Sequence, residues 1–146
     1  MTKLSEHFTL DEFTFSQTAV RKGINNTPSA IIVSNLTLLA HNLEKVRALL
    51  NVPIHITSGY RCAQLNIAVG GSNKSDHILG YAVDFTAPKF GTPKDIIKAI
   101  IASDIQFSQI IFEGTWVHLS FAPNMKREAL SATFKNGKAT YSQFKE

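Results

Sequence analysis

Residues 75–85 read Ser75-Asp76-His77-Ile78-Leu79-Gly80-Tyr81-Ala82-Val83-Asp84-Phe85, and this stretch decides the fold. Its first part is a polar loop that leads to His77, and residues 81–85 have the character of a strand. That strand carries one carboxylate, Asp84, between two apolar residues. Because an isolated carboxylate in an apolar strand is costly unless it is paired, Asp84 either accepts backbone N–H bonds or binds a cation.

A second histidine lies downstream, in the alternating segment Trp116-Val117-His118-Leu119-Ser120-Phe121. A period of two places His118 and Ser120 on one face of a strand and the apolar residues on the core face. A histidine on the polar face of a small sheet is more often a surface residue than a ligand. By spacing alone, none of His77, Asp84 and His118 is decisive.

The rest of the chain predicts helices first and then a small sheet. An apolar stripe at gaps of three and four residues predicts a helix of about 20 residues over 32–50, with Asn26-Thr27-Pro28 as its cap and first-turn proline. The Thr-x-x-Glu spacing at 9–12 predicts a short helix before it. The other predicted elements are a strand at 54–57, helices at 61–69 and 92–102, strands at 109–113 and 116–121, and a hairpin turning at Asn136-Gly137. We therefore expect an α+β fold with a mostly antiparallel sheet and the N-terminal helices packed on it.

Composition limits the class of protein. The chain has 146 residues, of which 44% are hydrophobic, and predicts a single domain over residues 1–146. One cysteine, Cys62, excludes a disulfide framework and a multi-cysteine zinc finger, so a metal site must draw mainly on the five histidines and the carboxylates. The net charge of +4 fits an anionic partner such as a cell wall and fits an ordinary globular protein equally well.

The sequence lacks the marks of a membrane or exported protein. No apolar run approaches the ~18 residues of a transmembrane helix, and residues 1–7 have no apolar core or cleavage site of a signal peptide. We expect synthesis in the cytoplasm and no membrane insertion.

Together, the pattern Ser75-x-His77-x-x-Gly80-x-Ala82-x-Asp84 and the later Trp116-x-His118-x-Ser120 resemble the zinc signature of the D-alanyl-D-alanine carboxypeptidase family of metallopeptidases, which also contains peptidoglycan endopeptidases. Segments at 57–62, 65–66 and 69–72 are similar to the part of the family that precedes the first metal histidine. The N-terminal segments at 8–13 and 23–28 resemble small phage-type members. The resemblance covers about residues 7–122.

The resemblance implies that His77, Asp84 and His118 bind Zn²⁺. Two imidazoles and a carboxylate suit this ion and leave a fourth position for water, whose pKa the ion lowers to about 7. The resemblance also implies that Arg61 binds substrate beside the zinc, and that Ser75 either contacts substrate or braces the loop.

The general base departs from the family pattern. Many relatives carry an acidic residue three positions before the last histidine, where this chain has Thr115. We predict Glu113 as the base, brought to the metal by a turn at Gly114, with Asp76 as the second candidate. If Glu113 is a surface charge, the protein binds zinc with little or no catalysis. His7, His41 and His55 match no ligand position, and no nucleophile motif surrounds Cys62 to support a thiol hydrolase.

The sequence thus predicts a monomeric zinc metallopeptidase that hydrolyses a peptide bond in peptidoglycan, as a carboxypeptidase or an endopeptidase, and that does not bind nucleic acid. Its size and lack of a signal peptide favour a phage or prophage lysis enzyme that acts on the cell wall or in the periplasm after release. The alternative is a non-catalytic, zinc-containing wall-binding or virion structural module, because the same scaffold resembles the signalling domain of hedgehog proteins.

Overall fold

The computed structural model describes residues 2–145, in which five α-helices accompany one six-stranded sheet. The helices are α1 (Leu10–Thr14), α2 (Gln17–Lys22), α3 (Ala30–Leu50), α4 (Ala63–Ala68) and α5 (Pro93–Ala102). The strands are β1 (His55–Ser58), β2 (Ala82–Thr86), β3 (Gln109–Phe112), β4 (Val117–Ser120), β5 (Glu128–Lys135) and β6 (Lys138–Gln143).

The strands are arranged in the order β1-β2-β4-β3-β5-β6. Every neighbouring pair is antiparallel except β3 and β5, which run parallel. The predicted α+β class with a mostly antiparallel sheet is confirmed, and the parallel pair is an addition that sequence periodicity did not indicate.

One face of the sheet forms the hydrophobic core with the long helix and α5. The predicted stripe of α3 is buried from Leu36 to Leu50, while Ile32 is partly buried against the core. Three buried isoleucines of α5, Ile96, Ile97 and Ile100, join the same cluster. Removing this apolar surface from water supplies the main driving force for folding.

The start of α3 differs from the prediction. Ser29 caps the helix, its hydroxyl accepting the amide N–H of Ile32 at 3.3 Å, so the proposed cap at residues 26–28 was wrong. Asn26 instead connects two distant segments: its amide group donates to the carbonyl of Tyr60 at 3.0 Å and accepts the N–H of Cys62 at 2.8 Å. It thereby holds the segment that leads into α4. The short helix α2 was not predicted.

The C-terminal hairpin was predicted correctly and is longer than the sequence indicated. Asn136 and Gly137 form its two-residue turn, and both have positive φ angles, 53° and 77°. A type I′ turn needs this geometry at both central residues, which the Asn-Gly pair adopts readily. The hairpin extends the sheet beyond β3.

No helix within residues 2–145 has the length and apolar character needed to cross a membrane.

Candidate metal centre

His77 is held by a short helical turn at the entrance to β2. A 3-10 turn spans Asp76–Leu79, and the Ser75 hydroxyl caps it by accepting the His77 amide N–H at 3.2 Å. Gly80 ends the turn with a φ of 76°, a conformation that glycine adopts without steric cost. The chain can therefore leave the turn at Gly80 and enter β2 at Ala82.

Asp84 and His118 face each other across adjacent strands. They are direct cross-strand partners in the β2–β4 pair, so both side chains project from the same face of the sheet. Their neighbours Val83, Phe85, Val117 and Leu119 point into the core. The alternation predicted for residues 116–121 is confirmed, but His118 is buried rather than a surface residue.

The three predicted ligands converge in a buried cluster. Asp84 Oδ1 lies 3.2 Å from His77 Nε2 and 3.0 Å from His118 Nδ1. The exposed fractions are 2%, 6% and 8% for His77, Asp84 and His118. One nitrogen or oxygen from each side chain lies within 4.8 Å of the other two, and this is the one group of three such residues within residues 2–145.

The hydrogen bonds of His77 determine which ring nitrogen is free. Its Nδ1 lies 2.7 Å from the carbonyl oxygen of Gly59, which can only accept, so Nδ1 carries the proton. In the neutral ring, the lone pair of Nε2 then faces a carboxylate oxygen of Asp84. Two acceptors at 3.2 Å repel each other unless a proton or a cation lies between them. The donor set and the anchored imidazole thus fit a zinc ion, whose histidine ligands donate their other N–H in this way.

The charges of the cluster are strongly coupled. Burial alone would raise the pKa of Asp84, but His77 and His118 in their protonated forms outweigh it through their positive charges and hydrogen bonds, and hold this pKa far below its ordinary value. Burial lowers the pKa of His77. Burial also acts to lower the pKa of His118, but its hydrogen bond with Asp84 prevails and raises it. An ionised Asp84 beside a neutral His77 is the state that a cation requires.

Arg61 lies beside this cluster and is held on three sides. Its Nε donates to the Ser58 hydroxyl at 3.3 Å, and its Nη1 donates to Asn66 Oδ1 at 3.0 Å. Its Nη2 lies 3.6 Å from Asp84 Oδ2. A Cβ at Gly71 would lie 2.7 Å from Arg61 Nη1, so only glycine leaves room for this arrangement. The sequence had not indicated Asn66 and Gly71 as supports of Arg61.

Glu113 lies in a tight turn between β3 and β4 and lines the same cavity as the cluster of His77, Asp84 and His118. Gly114, with a φ of 85°, forms the turn, and the Glu113 carboxylate accepts the indole N–H of Trp116 at 2.5 Å. Burial and the nearby negative charge of Asp84 raise the pKa of Glu113. Thr115, at the position where many relatives have an acid, is exposed and does not line the cavity beside the cluster.

A cavity of about 510 Å³ opens over the cluster. Ser75 and Asp76 line it, and Asp76 also accepts the Ser120 hydroxyl at 2.7 Å. The sequence analysis also missed the contribution of the C-terminal hairpin to the site: Leu130, Phe134, Gly137, Ala139 and Tyr141 line the same cavity. The hairpin register and the alternation of side chains along each strand could have placed Phe134 and Tyr141 on one face of the hairpin. The parallel pairing of β3 with β5, which brings this face to the cavity, has no local sequence signal.

The other candidates lie away from the cluster. His7, His41 and His55 are exposed, and His7 Nδ1 pairs with Glu44 at 2.7 Å. Cys62 caps α4, its sulfur accepting the N–H of Leu65 at 3.4 Å.

Comparison with known proteins gives one family. A family model described as Peptidase M15 matches residues 6–120. The match includes the three clustered residues, Arg61, Ser75 and Glu113, and it ends before β5. No curated protein matches the chain.

Proposed function

This chain belongs to the peptidase M15 family, whose members are zinc peptidases, and we propose that it hydrolyses a peptide bond in the stem or cross-link of peptidoglycan. The observation that carries the proposal is the buried convergence of His77, Asp84 and His118, with Gly59 holding one imidazole in the tautomer that a metal needs. We further propose that residues 1–146 act as one peptidase domain.

His77 Nε2, His118 Nδ1 and the Asp84 carboxylate are the proposed zinc ligands. A bound zinc ion supplies Lewis acidity to the scissile carbonyl and makes water a nucleophile near neutral pH. The protein contributes ligand side chains that are already buried and close together, a preorganisation that lowers the cost of stabilising charge in the transition state.

Glu113 is the proposed general base. A carboxylate with a raised pKa is a better proton acceptor near neutral pH than an ordinary one. It takes a proton from the attacking water as the new C–O bond forms at the carbonyl carbon. It then gives this proton to the amide nitrogen as the C–N bond breaks, so the products are a carboxylic acid and a free amine. The Trp116 indole orients the carboxylate by donating to Oε2.

Arg61 is the proposed substrate-binding residue. A guanidinium has five N–H donors, and its contacts with Ser58 and Asn66 use two of them. Its Nη2 lies 3.6 Å from Asp84 Oδ2, and the N–H groups that Ser58, Asn66 and Asp84 leave unused are available to a substrate carbonyl oxygen. Ser75 braces the turn that carries His77 and also lines the cavity, which supports both roles considered for it.

The test is hydrolysis of isolated peptidoglycan by the purified, zinc-loaded protein, with new free amines identified by mass spectrometry. We expect Glu113→Gln to reduce turnover by about 10²–10⁴-fold while zinc binding is retained. Glu6→Gln is the matched control, because Glu6 is exposed and does not line this cavity.

Two results would overturn parts of the proposal. Near-normal turnover by Glu113→Gln would move the base elsewhere, with Asp76 as the next candidate. Binding of the wall by wild-type protein without release of amines would favour the non-catalytic alternative.

The biological setting is also a proposal. Hydrolysis of peptidoglycan fits lysis of a host cell by a phage or prophage, with its site of action in the cell wall. The net charge of +4 is compatible with an anionic wall.

A further inference from the structure

Asp84 and His118 project from one face of the sheet. This face continues on both sides of the cluster that they form with His77. Cross-strand partners connect Ser58 to Asp84, Asp84 to His118, His118 to Ile111 and Ile111 to Leu130. Since direct partners project from the same face, one surface runs from β1 at one edge to the hairpin at the other. The cluster lies between these edges, on β2 and β4.

The hairpin of β5 and β6 forms one side of this surface. Phe134 and Tyr141 line the cavity of about 510 Å³, yet each is 55% exposed. Burial, together with the nearby charge of Glu113, raises the pKa of Tyr141, which agrees with a phenol close to the proposed base. Two large aromatic side chains therefore stand beside the reaction centre with uncovered surface.

The opposite side has its own cavity, of about 760 Å³, against β1 and the start of α2. Phe15 lines it and is 64% exposed. Arg61, Asp84 and Trp116 line both cavities, so the two spaces meet at the metal cluster. Volumes of about 300–1,000 Å³ accommodate ligands larger than a single amino-acid residue.

We infer that the substrate chain occupies both cavities at once, with the scissile bond over the cluster, and that the protein is an endopeptidase. This inference rests on the proposed function. A carboxypeptidase that removes one residue needs a small pocket on one side, closed around the terminal carboxylate. Here the Arg61 guanidinium already faces Asp84 at 3.6 Å, and each side offers an exposed aromatic side chain to an extended peptide.

The position of the cut tests the inference directly. Zinc-loaded protein comprising residues 1–146 is incubated with a soluble disaccharide pentapeptide and with a cross-linked dimer of it, and the products are identified by mass spectrometry. We expect cuts that leave at least two residues on each side, and we expect amidation of the terminal carboxylate to leave the rate unchanged. Release of a single C-terminal residue as the only product would overturn the inference. Lys74, like Arg61, is a cation that lines the cavity beside the hairpin. The refutation would be clearest if Lys74→Ala abolished the release of that residue.

Variants on the two sides give a second test. We expect Phe15→Ala to raise KM about fivefold, as loss of one aromatic contact predicts, and Phe134→Ala/Tyr141→Ala, which removes two, to raise it about 25-fold, with zinc affinity unchanged in both. Leu38→Ala is the control, since Leu38 is a comparably exposed apolar residue on α3. An effect from one side alone would refute occupation of both cavities.

Failure of the proposed function gives a different pattern. If wild-type protein hydrolyses neither substrate, Trp116 fluorescence still measures binding of the same muropeptides, because this indole lines both cavities. Weaker binding by variants on both sides would uphold the two-sided groove, and unchanged binding would reject it.

Discussion

Replacing Gly59 by alanine should damage both the packing of the fold and the metal centre. A Cβ at this position would lie 2.7 Å from Cα and 2.9 Å from the carbonyl carbon of Phe13. These are backbone atoms of α1, so no side-chain rotation can relieve the contact. The adjacent amide of Tyr60 donates to the Phe13 carbonyl at 2.6 Å, which ties the two segments together.

The same residue orients a proposed zinc ligand. The Gly59 carbonyl accepts the Nδ1–H of His77 at 2.7 Å, and moving the backbone away from α1 moves this carbonyl. Overpacking of a rigid site costs about 1–3 kcal/mol, and the backbone contact points to the upper end, about 3 kcal/mol. For a chain of this size, this corresponds to a fall in Tm of about 9 °C. Loss of the partner that orients a ligand histidine lowers zinc affinity by about 10–100-fold.

The assay combines thermal denaturation of the zinc-free protein with zinc titration against a competing chelator. Gly23→Ala is the matched control: its φ is 64° and nothing lies within 4 Å of the added Cβ. We expect the control to lose about 1 kcal/mol of stability from backbone strain and to keep its zinc affinity. A Gly59→Ala protein with the wild-type Tm would refute the packing estimate, and a lower Tm with unchanged zinc affinity would refute the role of the carbonyl.

Three further predictions concern single side chains. Asp84→Asn should lower zinc affinity more than about 100-fold in the same titration, because it removes the central charged ligand; retained affinity would exclude Asp84 from the site. Glu44→Gln should cost about 1 kcal/mol at pH 6 and progressively less as the pH falls below 4.5, as measured by urea unfolding. Burial acts to raise the pKa of Glu44, but hydrogen bonds from Ser5 and His7 lower it below its ordinary 4.5. The stabilisation therefore exists above pH 4.5 and is lost as the pH falls through the folded-state pKa. A stability difference between wild type and variant that does not depend on pH would contradict this. Arg127→Ala should cost about 2 kcal/mol in urea unfolding, because the guanidinium donates to the carbonyl groups at the end of α5; an unchanged midpoint would show those bonds to be unimportant.

Local chemistry made much of the fold predictable. The stripe of α3 follows from the helical period, and the Asn136-Gly137 turn follows from the positive φ angles that these two residues tolerate. The convergence of His77, Asp84 and His118 was expected from the family resemblance, and the geometry now gives its physical basis in the β2–β4 register.

The parts that were missed depend on contacts between distant segments. Residues 26–28 have the composition of a helix cap, but Asn26 finds better partners near Tyr60, and Ser29 caps α3 instead. The exposed aromatic residues of the hairpin reach the cavity through the parallel pairing of β3 with β5. Parallel neighbouring strands are not joined by a tight turn, so their pairing leaves no turn signal in the sequence. Neither the contacts of Asn26 nor the position of the hairpin could therefore be predicted from nearby residues alone.

The alternation in β4 makes metal uptake a reporter of correct folding. His118 points to the cleft, whereas Val117 and Leu119 point to the core. A slip of β4 by one residue relative to β2 would exchange these faces, placing an imidazole among the isoleucines of the interior and an aliphatic side chain opposite Asp84. A misregistered chain therefore cannot assemble the three-ligand site, and the fraction of refolded protein that takes up zinc counts the molecules whose strands have paired correctly.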